Sequence, residues 1–524
     1  MRIRTALAAI LLLAATTAGL AREARTAGIE VRGKLIDIRT AGGKETVFPQ
    51  NDDYKFDEVL NSQITAGTRY ACSLVEFRGP EQFRLAKKGS CLIALDTDHV
   101  GDPGWKPTGE VLEMGHGLVY HVFERRKCEA GEWIDVPYPE GCCHTAIVIG
   151  DGIGVADTPE YGTVICKVSE LRRKNAYNQT MTMLPDGSLL ACCSMGMPRG
   201  PEMFISRDKG ETWQPHGSFD ARRNKVGNYF NLFVHRGSVY LMGIDRERTG
   251  LFISRSDDGG LTWSVPADSH TGVLLKGDYH TAPVPMCYDG GRIWRACETK
   301  NGTKYGHPFV MSAPEDADLL DAASWTCTNT VTNDIREAMG YKLTGSIIEG
   351  NAVNLREGGV VNLIRTNSTS TSKIATILHV HGIDSLSFDS GDDIVVMPGG
   401  GKKFTCRYDP VSDLYWALTN PDAEEKVTHD GIYRKGMSHS LMRNRLALIC
   451  SRDLHEWRVV DDSVLYDPDY FFHGFQYADW VFDGDDIAAV VRVAAPESRG
   501  LPQRQHDSNM MTFVRIRNFR NAAR

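Results

Sequence analysis

Residues suited to chemistry stand where predicted strands begin and end in the C-terminal part of this 524-residue chain. At the strand openings stand Asn178, Tyr229, Asp278, Tyr279, His280, Glu349, Asn351, Lys403, Gln476 and Tyr477, and at the ends of second strands stand Glu298, Arg365 and Arg492. If these loops meet at one mouth, they combine hydrogen-bonding groups, ring faces and carboxylates. That combination is what a sugar site requires.

Asp278 and His280 form the most evident acid–base pair. A histidine titrates near neutral pH, and a carboxylate two residues earlier is close enough to orient it as a base. The same histidine, with Tyr279 and Arg295, would suit a lyase that moves protons beside a uronate carboxylate. The structural alternative is a histidine that hydrogen-bonds the backbone and fixes its loop.

The elements that position these residues belong to a repeated module. The pattern Ser-x-Asp-x-Gly-x-Thr-Trp occurs at 206–213 and again at 256–263, each time after an apolar, strand-like run. In such a turn the Asp accepts backbone N–H bonds, Gly supplies positive φ, and Trp fills the apolar gap between neighbouring units. We interpret both copies as structural turns that take no part in catalysis.

Six modules can be counted from residue 166 onward, each with a polar opening loop, a strand, a turn and a second strand. The last module lacks an obvious fourth strand, and residues 161–166 could supply it. This pairing would close a ring and remove the open sheet edges. We therefore expect a six-bladed β-propeller over 166–524, with seven blades as the alternative because 327–348 could contain further strands.

The two repeated turns resemble the Asp-boxes of the sialidase-type β-propellers. In that family, a Glu that opens one blade polarises a Tyr nucleophile that opens a later blade, and an Arg ending the Glu blade helps to bind the substrate carboxylate. Glu349, with Arg365 sixteen residues later, resembles the Glu and Arg of this pattern, and Tyr477 resembles its Tyr. The resemblance implies an exo-acting glycoside hydrolase that is similar to an exo-α-sialidase.

Two parts of the family pattern are absent. The Arg-Ile-Pro that opens the first blade in sialidases corresponds here to Asn178-Gln179-Thr180, and 194–201, where the acid/base Asp is expected, contains no carboxylate. The third arginine of the family's carboxylate clamp could be Arg407, Arg443 or Arg445. A glycosidase for another sugar, a polysaccharide lyase and a non-catalytic glycan-binding propeller therefore stand as alternatives.

The N-terminal part has a different character. Residues 1–21 combine Arg2 and Arg4 with a short apolar run and a small-residue cleavage site, which is typical of a secretory signal peptide. Residues 28–165 contain no copy of the turn motif, and their apolar or alternating runs between Gly, Pro and Asp turns predict a jelly-roll-like β-sandwich. We expect an all-β protein that is secreted or periplasmic.

The charge and cysteine content of the chain limit the classes of ligand and partner that it can bind. The formal charge of −8, with signs well mixed, argues against a nucleic-acid or anionic-membrane surface. The 13 cysteines are odd in number and lack the spacing of a zinc site. We expect a glycan or polysaccharide substrate, a monomer, no membrane insertion, no cofactor and no metal. The predicted catalytic residues are Tyr477, Glu349, His280 and Asp278, and the predicted substrate-binding residues are Arg365, Arg492, Asn178, Asn351, Tyr279 and Gln476.

Overall fold

The chain divides into two compact units made almost entirely of strands, so the all-β prediction is confirmed. The first unit is Met1–Thr158 with Thr428–Lys435 and Pro496–Leu501, and the second is Pro159–Val427 with Gly436–Ala495 and Pro502–Arg524. A computed structural model describes residues 29–32, 36–40, 69–73, 80–114, 118–139, 146–150, 153–155, 161–169, 171, 175–195, 200–300, 306–341, 344–368, 371–421, 439–468, 470, 472–497 and 499–523. The predicted signal peptide lies outside these residues.

The first unit contains two sheets. Its strands are β1 (Ile29–Arg32), β2 (Ile36–Thr40), β3 (Arg69–Ser73), β4 (Gln82–Leu85), β5 (Gly89–Leu95), β6 (Trp105–Met114), β7 (Leu118–Cys128), β8 (Ile134–Asp135), β9 (Ile147–Ile149) and β10 (Ile153–Val155). One sheet has the order β10-β1-β4-β8 and the other β2-β3-β9-β5-β7-β6. Alternate residues such as Val31 and Phe83 point inward and share one hydrophobic cluster with Ile93 and Phe123 of the other sheet.

The second unit contains six antiparallel sheets, which we number I to VI. Sheet I consists of β12 (Ala176–Met183), β13 (Leu189–Met195), β14 (Pro201–Ser206) and β15 (Gln214–Pro215). Sheet II consists of β16 (Asn228–His235), β17 (Ser238–Ile244), β18 (Gly250–Ser256) and β19 (Val273–Lys276). Sheet III consists of β20 (Tyr279–His280), β21 (Cys287–Asp289), β22 (Arg292–Thr299), β23 (His307–Pro314) and β24 (Thr326–Cys327).

Sheets IV and V follow in chain order, and sheet VI combines strands from both ends of the unit. Sheet IV consists of β25 (Thr344–Asn354), β26 (Val360–Ser368), β27 (Ile374–His381), β28 (Ser385–Ser387) and β29 (Ile394–Val396). Sheet V consists of β30 (Thr405–Asp409), β31 (Leu414–Thr419), β32 (Arg445–Ser451) and β33 (Trp457–Tyr466). Sheet VI consists of β34 (Gly474–Asp483), β35 (Asp486–Ala494), β36 (Met510–Ile516) and the early strand β11 (Thr163–Lys167).

The six sheets contact one another in a closed cycle. The first strand of sheet I contacts the first strands of sheets II and VI, and the first strand of sheet V contacts those of sheets IV and VI. Sheet III contacts the first strand of sheet IV through β22. Sheets II and III share a hydrophobic cluster that includes Met242 and Phe309. In sheet VI, β11 pairs with β36, so an early strand completes a sheet whose other members come last in the chain.

Two α-helices lie between strands in the described part of the second unit. Helix α1 (Ala221–Asn224) is capped by the Asp220 side chain, which accepts a hydrogen bond from the backbone N–H of Arg222. Helix α2 (Thr332–Met339) ends at Gly340 and lies within the segment 327–348, where strands of a seventh module were the alternative, and the strand that begins in this segment, β25, belongs to sheet IV. No helix in the described part of the chain is long and apolar enough to cross a membrane.

The two repeated eight-residue turns have the same hydrogen bonds. Each follows the third strand of its sheet, and Asp208 accepts bonds from the Thr212 backbone N (2.9 Å) and the Ser206 hydroxyl (2.8 Å). Asp258 accepts the equivalent bonds from Thr262 (2.9 Å) and Ser256 (2.7 Å). The hydroxyl and backbone of each threonine lower the pKa of its Asp partner to about 2. The carboxylates therefore serve the turn itself.

We expect Asp208→Ala and Asp258→Ala each to lower the melting temperature by a few degrees, because each removes the acceptor that organises its turn. Glu211→Ala, which alters an exposed side chain of the same turn, is the matched control and should leave the melting temperature unchanged. Calorimetry measures the shift, and binding of a glycan ligand should stay as in the wild type. Lost turnover at an unchanged melting temperature would contradict the structural role.

Candidate active site

The first strands of sheets I, II, IV and VI contain a β-bulge at the same point. The strand pairing shifts between Tyr177 and Thr180, between Asn228 and Asn231, between Ile348 and Asn351, and between Gln476 and Asp479. The residue that follows the first of each pair has a positive φ: Asn178 (59°), Tyr229 (48°), Glu349 (66°) and Tyr477 (56°). Such a conformation is uncommon outside glycine, and a bulge redirects the side chains it carries. Each of these four sheets therefore has one residue with a positive φ at an equivalent position of its first strand.

Side chains of neighbouring sheets hold three of these bulges. The Thr281 hydroxyl donates to the Tyr229 carbonyl (2.6 Å), and Glu298 Oε1 accepts from the Gly350 backbone N–H (3.0 Å). The fully buried Lys403 donates to the Ala478 carbonyl (2.7 Å) beside Tyr477. Because backbone held in a sparsely populated conformation persists only where its surroundings enforce it, these contacts fix the bulged residues in place.

Glu349 and Arg365 form a buried ion pair. Arg365 Nη1 donates to Glu349 Oε2 (2.5 Å), and Arg365 Nε donates to the Gly401 carbonyl (3.0 Å). Burial acts to raise the pKa of Glu349, but the charge of Arg365, with smaller contributions from His280 and Arg443, outweighs burial and lowers this pKa to about 2. Glu349 is therefore ionised throughout the neutral and mildly acidic range.

This ion pair makes a testable contribution to stability. An unfolded Glu titrates near pH 4.3, so the folded carboxylate stabilises the protein above about pH 4, and that stabilisation is lost as the pH falls towards about 2. We expect the melting temperature of wild type to fall more steeply between about pH 5 and 2 than that of Glu349→Gln. Glu211→Gln, which removes an exposed carboxylate, is the control. Parallel curves for wild type and Glu349→Gln would contradict the assignment.

Three arginines surround Tyr477. The charges of Arg365 and Arg443 both lie close enough to Tyr477 to interact with it electrostatically. The guanidinium carbons of Arg443 and Arg492 lie 5.0 Å and 5.1 Å from the centre of its ring. The hydrogen bonds described for Glu349 and Tyr477 include none between the two, which differs from the direct contact that the sialidase pattern implies. Arg365 interacts with both residues instead.

Arg443 and Arg492 are buried cations that form no ion pair with a carboxylate in the part of the chain that the structure describes. Arg443 Nε donates to the Ser440 carbonyl (3.0 Å) and Arg492 Nε to the Ser508 hydroxyl (2.9 Å), and among the described residues neither arginine has a carboxylate within ion-pairing distance. Burial lowers the pKa of both guanidinium groups. A buried charge without a partner is costly, so the arrangement favours an anion beside Tyr477.

His280 lies next to this cluster and is oriented by Glu298. Its Nδ1 lies 3.0 Å from Glu298 Oε2, and its ring centre lies 4.4 Å from that of Tyr229. The pairing of β20 with β22 places His280 directly opposite Glu298. A carboxylate at Nδ1 holds a proton there and leaves Nε2 for a substrate. Glu298 therefore fixes the orientation of the His280 ring beside Tyr229.

The predicted role of Asp278 in orienting His280 is wrong. Its carboxylate accepts a hydrogen bond from Arg248 Nε (2.7 Å), and the cross-strand Glu298 takes the position at the histidine. Residues two positions apart in one strand point to the same face of the sheet. Asp278, however, precedes β20, and its side chain turns towards Arg248 and away from His280.

Three other residues that were predicted to bind substrate make contacts with other parts of the fold instead. Asn351 accepts from the backbone N–H of Cys406 (3.0 Å) through Oδ1, and the Gln476 amide donates to the Gln505 carbonyl (2.6 Å). The Tyr279 ring packs edge-on against Phe309, since successive side chains of a strand point to opposite faces and His280 takes the other one. These three side chains stabilise loops and sheets rather than lining the cluster.

Asn178, which was also predicted to bind substrate, contacts the neighbouring sheet II. Asn178 Nδ2 donates to Asn228 Oδ1 (2.8 Å) at the bulge of sheet I. Of the three candidates for a further arginine, Arg443 is at Tyr477, whereas Arg445 pairs with Asp462 (3.0 Å) and Arg407 donates to the Trp480 carbonyl (2.8 Å). The sequence signal that could have distinguished Arg443 is weak, because it lies in a loop just before β32.

Tyr229 and Glu298 were predicted only as general lining residues. A comparison of the four bulges would have singled out Tyr229, because Tyr229-Phe230-Asn231 matches Glu349-Gly350-Asn351 and Tyr477-Ala478-Asp479 in having a short polar residue two positions later. Among the described residues, no group of three or more His, Cys, Asp or Glu side chains could hold a metal ion.

Comparison with known proteins gives structural similarity only. No family model and no curated protein matches the chain. Similar solved structures include the α-L-arabinanase of Penicillium chrysogenum complexed with arabinobiose (13% identity, TM-score 0.42, covering 68% of this chain and 98% of that one). Another is the GH93 α-L-arabinofuranosidase of Fusarium graminearum with arabinobiose (12%, TM-score 0.44, 68% and 97%).

A third similar structure is the intramolecular trans-sialidase from Ruminococcus gnavus in complex with oseltamivir carboxylate (11% identity, TM-score 0.42, covering 70% of this chain and 99% of that one). At these identities and TM-scores, the similarity does not assign the chain to a family.

Proposed function

We propose that this protein is a glycoside hydrolase that removes a terminal acidic sugar from a glycan, with Tyr477 as the nucleophile. The observation that carries the proposal is the position of the Arg365 and Arg443 charges beside Tyr477, next to the ionised Glu349. Two guanidinium groups beside a phenol stabilise the negative charge that develops there as the phenol loses its proton. This is the environment that a tyrosine nucleophile needs.

In the proposed reaction, the Tyr477 oxygen attacks the anomeric carbon and its proton passes towards Glu349. The bond to the leaving oxygen breaks, and that oxygen takes a proton from His280, which Glu298 holds in position. Water then gives one proton to His280 and attacks the glycosyl-tyrosine intermediate, and Glu349 returns its proton to the Tyr477 oxygen as the free sugar is released. His280 thus fills the role for which the loop after β13 offers no carboxylate in its sequence.

The acidic character of the sugar is inferred from the buried guanidinium groups of Arg443 and Arg492, which have no carboxylate partner among the described residues. A carboxylate on the substrate would supply the charge that the protein lacks at this point. The phenol nucleophile fits the same substrate, because a neutral oxygen approaches an anionic sugar with less repulsion than a carboxylate would.

A polysaccharide lyase is the second candidate, and the contact between the Tyr229 and His280 rings favours it. In that reaction, a base removes the proton beside a uronate carboxylate that Arg443 or Arg492 neutralises, and the tyrosine protonates the leaving oxygen. The product then carries a double bond that hydrolysis does not produce.

A substrate screen separates these functions. The purified protein is offered aryl sialosides, neutral aryl glycosides and uronate polysaccharides, and both new reducing ends and ultraviolet absorbance of unsaturated products are followed. Release of the aryl alcohol from acidic glycosides alone supports the proposal. Unsaturated products would establish the lyase instead, and binding without turnover would establish a glycan-binding protein.

We also propose that the six sheets are the blades of a sialidase-like β-propeller, that the first unit is a β-sandwich, and that residues 1–21 direct export of a monomer. The closed cycle of sheets and the shared core of the two N-terminal sheets support these assignments. N-terminal sequencing of protein recovered from the medium or periplasm tests the export signal, since processing should remove it. An intact N-terminus on protein retained in the cytoplasm would contradict it.

A further inference from the structure

Two cysteines meet where β11 completes sheet VI. Cys166 of β11 and Cys193 of β13 lie 27 positions apart in the sequence, and their sulfur atoms are 3.4 Å apart. Cys166 is half-buried and Cys193 is fully buried, so one partner of the pair can be reached from solvent. The strands belong to different sheets, and the two sulfurs therefore span the junction between sheets VI and I.

A bulge in β11 accounts for this meeting. The pairing of β11 with β36 shifts between Val164 and Cys166. Successive side chains of a regular strand point to opposite faces, whereas Ile165 and Cys166 both pack against one hydrophobic cluster with Cys193. The neighbouring Cys192 belongs to the separate cluster between sheets I and II. Cys193 is thus the member of the adjacent pair that faces β11.

We propose that Cys166 and Cys193 form a disulfide bond that links the closing strand β11 to sheet I. A low-molecular-weight disulfide or a thiol–disulfide oxidoreductase supplies the oxidant. The Cys166 thiolate attacks the disulfide of the oxidant and releases one thiol, and Cys193, after losing its proton, attacks the Cys166 sulfur and releases the second. Two protein thiols are oxidised to one disulfide, and one oxidant disulfide is reduced to two thiols.

The bond acts on the strand whose pairing closes the cycle. A cross-link between Cys166 and Cys193 restricts the unfolded chain and keeps β11 on β36. The hydrogen bond to Cys166 and burial raise the pKa of Cys193, so the half-buried Cys166 is the thiol that reacts first with the oxidant. The inference is independent of the reaction that the protein catalyses.

The full-length protein is equilibrated with glutathione disulfide or with reduced glutathione, alkylated under denaturing conditions, digested and analysed by mass spectrometry. We expect oxidation to protect Cys166 and Cys193 from alkylation, to produce one cross-linked peptide pair, and to raise the melting temperature by about 5 °C or more. Cys166→Ser should abolish both effects, and Cys192→Ser, the matched control, should retain them.

Full alkylation of Cys166 and Cys193 in the oxidised wild type would overturn the proposal, as would a cross-link of either cysteine to another residue. Met195 Sδ lies 3.5 Å from Cys166 Sγ, so these three sulfurs could instead hold a soft cation such as Cu(I). Protection that a copper(I) chelator removes while no cross-linked peptide is present would establish that alternative and overturn the disulfide. Because Cys166→Ser alters a half-buried residue, the peptide map of the wild type decides the result even if the variant folds poorly.

Discussion

Tyr477→Phe is expected to lower kcat by about a thousandfold or more on the acidic glycoside that the substrate screen identifies. The substitution removes the hydroxyl of the residue that lies beside the Arg365 and Arg443 charges and keeps the ring that Arg443 and Arg492 pack against. Binding of the substrate should therefore survive while turnover is lost. Steady-state kinetics and the melting temperature together measure the effect.

Tyr279→Phe is the matched control for this prediction. Tyr279 opens a strand as Tyr477 does, but its hydroxyl reaches only the Lys276 carbonyl (3.4 Å), away from the arginines. Its kcat should equal that of the wild type. If Tyr477→Phe kept a normal kcat, Tyr477 would not be the nucleophile, and the lyase reaction through Tyr229 and His280 would take its place.

Arg443→Gln is expected to raise KM for an acidic substrate by about 10- to 100-fold, which is the value of one or two lost charge-assisted hydrogen bonds. The same substitution should leave KM unchanged for the methyl ester of that substrate, because the ester carries no charge for Arg443 to balance. The difference between acid and ester isolates the electrostatic contribution from any general damage to the site.

Arg445→Gln provides the control, since Arg445 lies two residues away and pairs with Asp462 outside the cluster. It should leave both substrates unaffected. Equal losses on the acid and the ester in Arg443→Gln would mean that Arg443 shapes the site without binding the anion. Arg492 would then be the remaining guanidinium for that role.

The sequence predicted best the features whose contacts are local. Both repeated turns are held by hydrogen bonds within eight residues, as between Asp208 and Thr212, so the motif contains all the information that the turn needs. The pair formed by Glu349 and Arg365 was also accessible, because adjacent antiparallel strands joined by a short turn bring residues of known spacing together.

The orientation of His280 could not be predicted in this way. Asp278 is nearer in sequence, but the register between β20 and β22 decides which carboxylate reaches the imidazole, and Glu298 lies opposite. Register depends on how the strands pack over their whole length. The sequence alone offered no means to choose between the two carboxylates.

The positive φ of four bulge residues could not be predicted from the sequence either. Asn178, Tyr229, Glu349 and Tyr477 share no side-chain property that favours this conformation, and only asparagine adopts it readily. The contacts that enforce it come from other sheets, such as the hydrogen bond from Lys403 to the Ala478 carbonyl. Such contacts exist only after the sheets have assembled.

The pairing of β11 with β36 imposes an order on biosynthesis. A ribosome completes Lys167 more than three hundred residues before it reaches Met510, and at about 5–20 residues per second this interval lasts tens of seconds. Throughout that interval β11 has no partner, and the sheets made so far cannot close. The nascent chain must therefore be protected from pairing with other copies of itself, which predicts a stronger need for chaperones than in a protein whose neighbouring strands are made in succession.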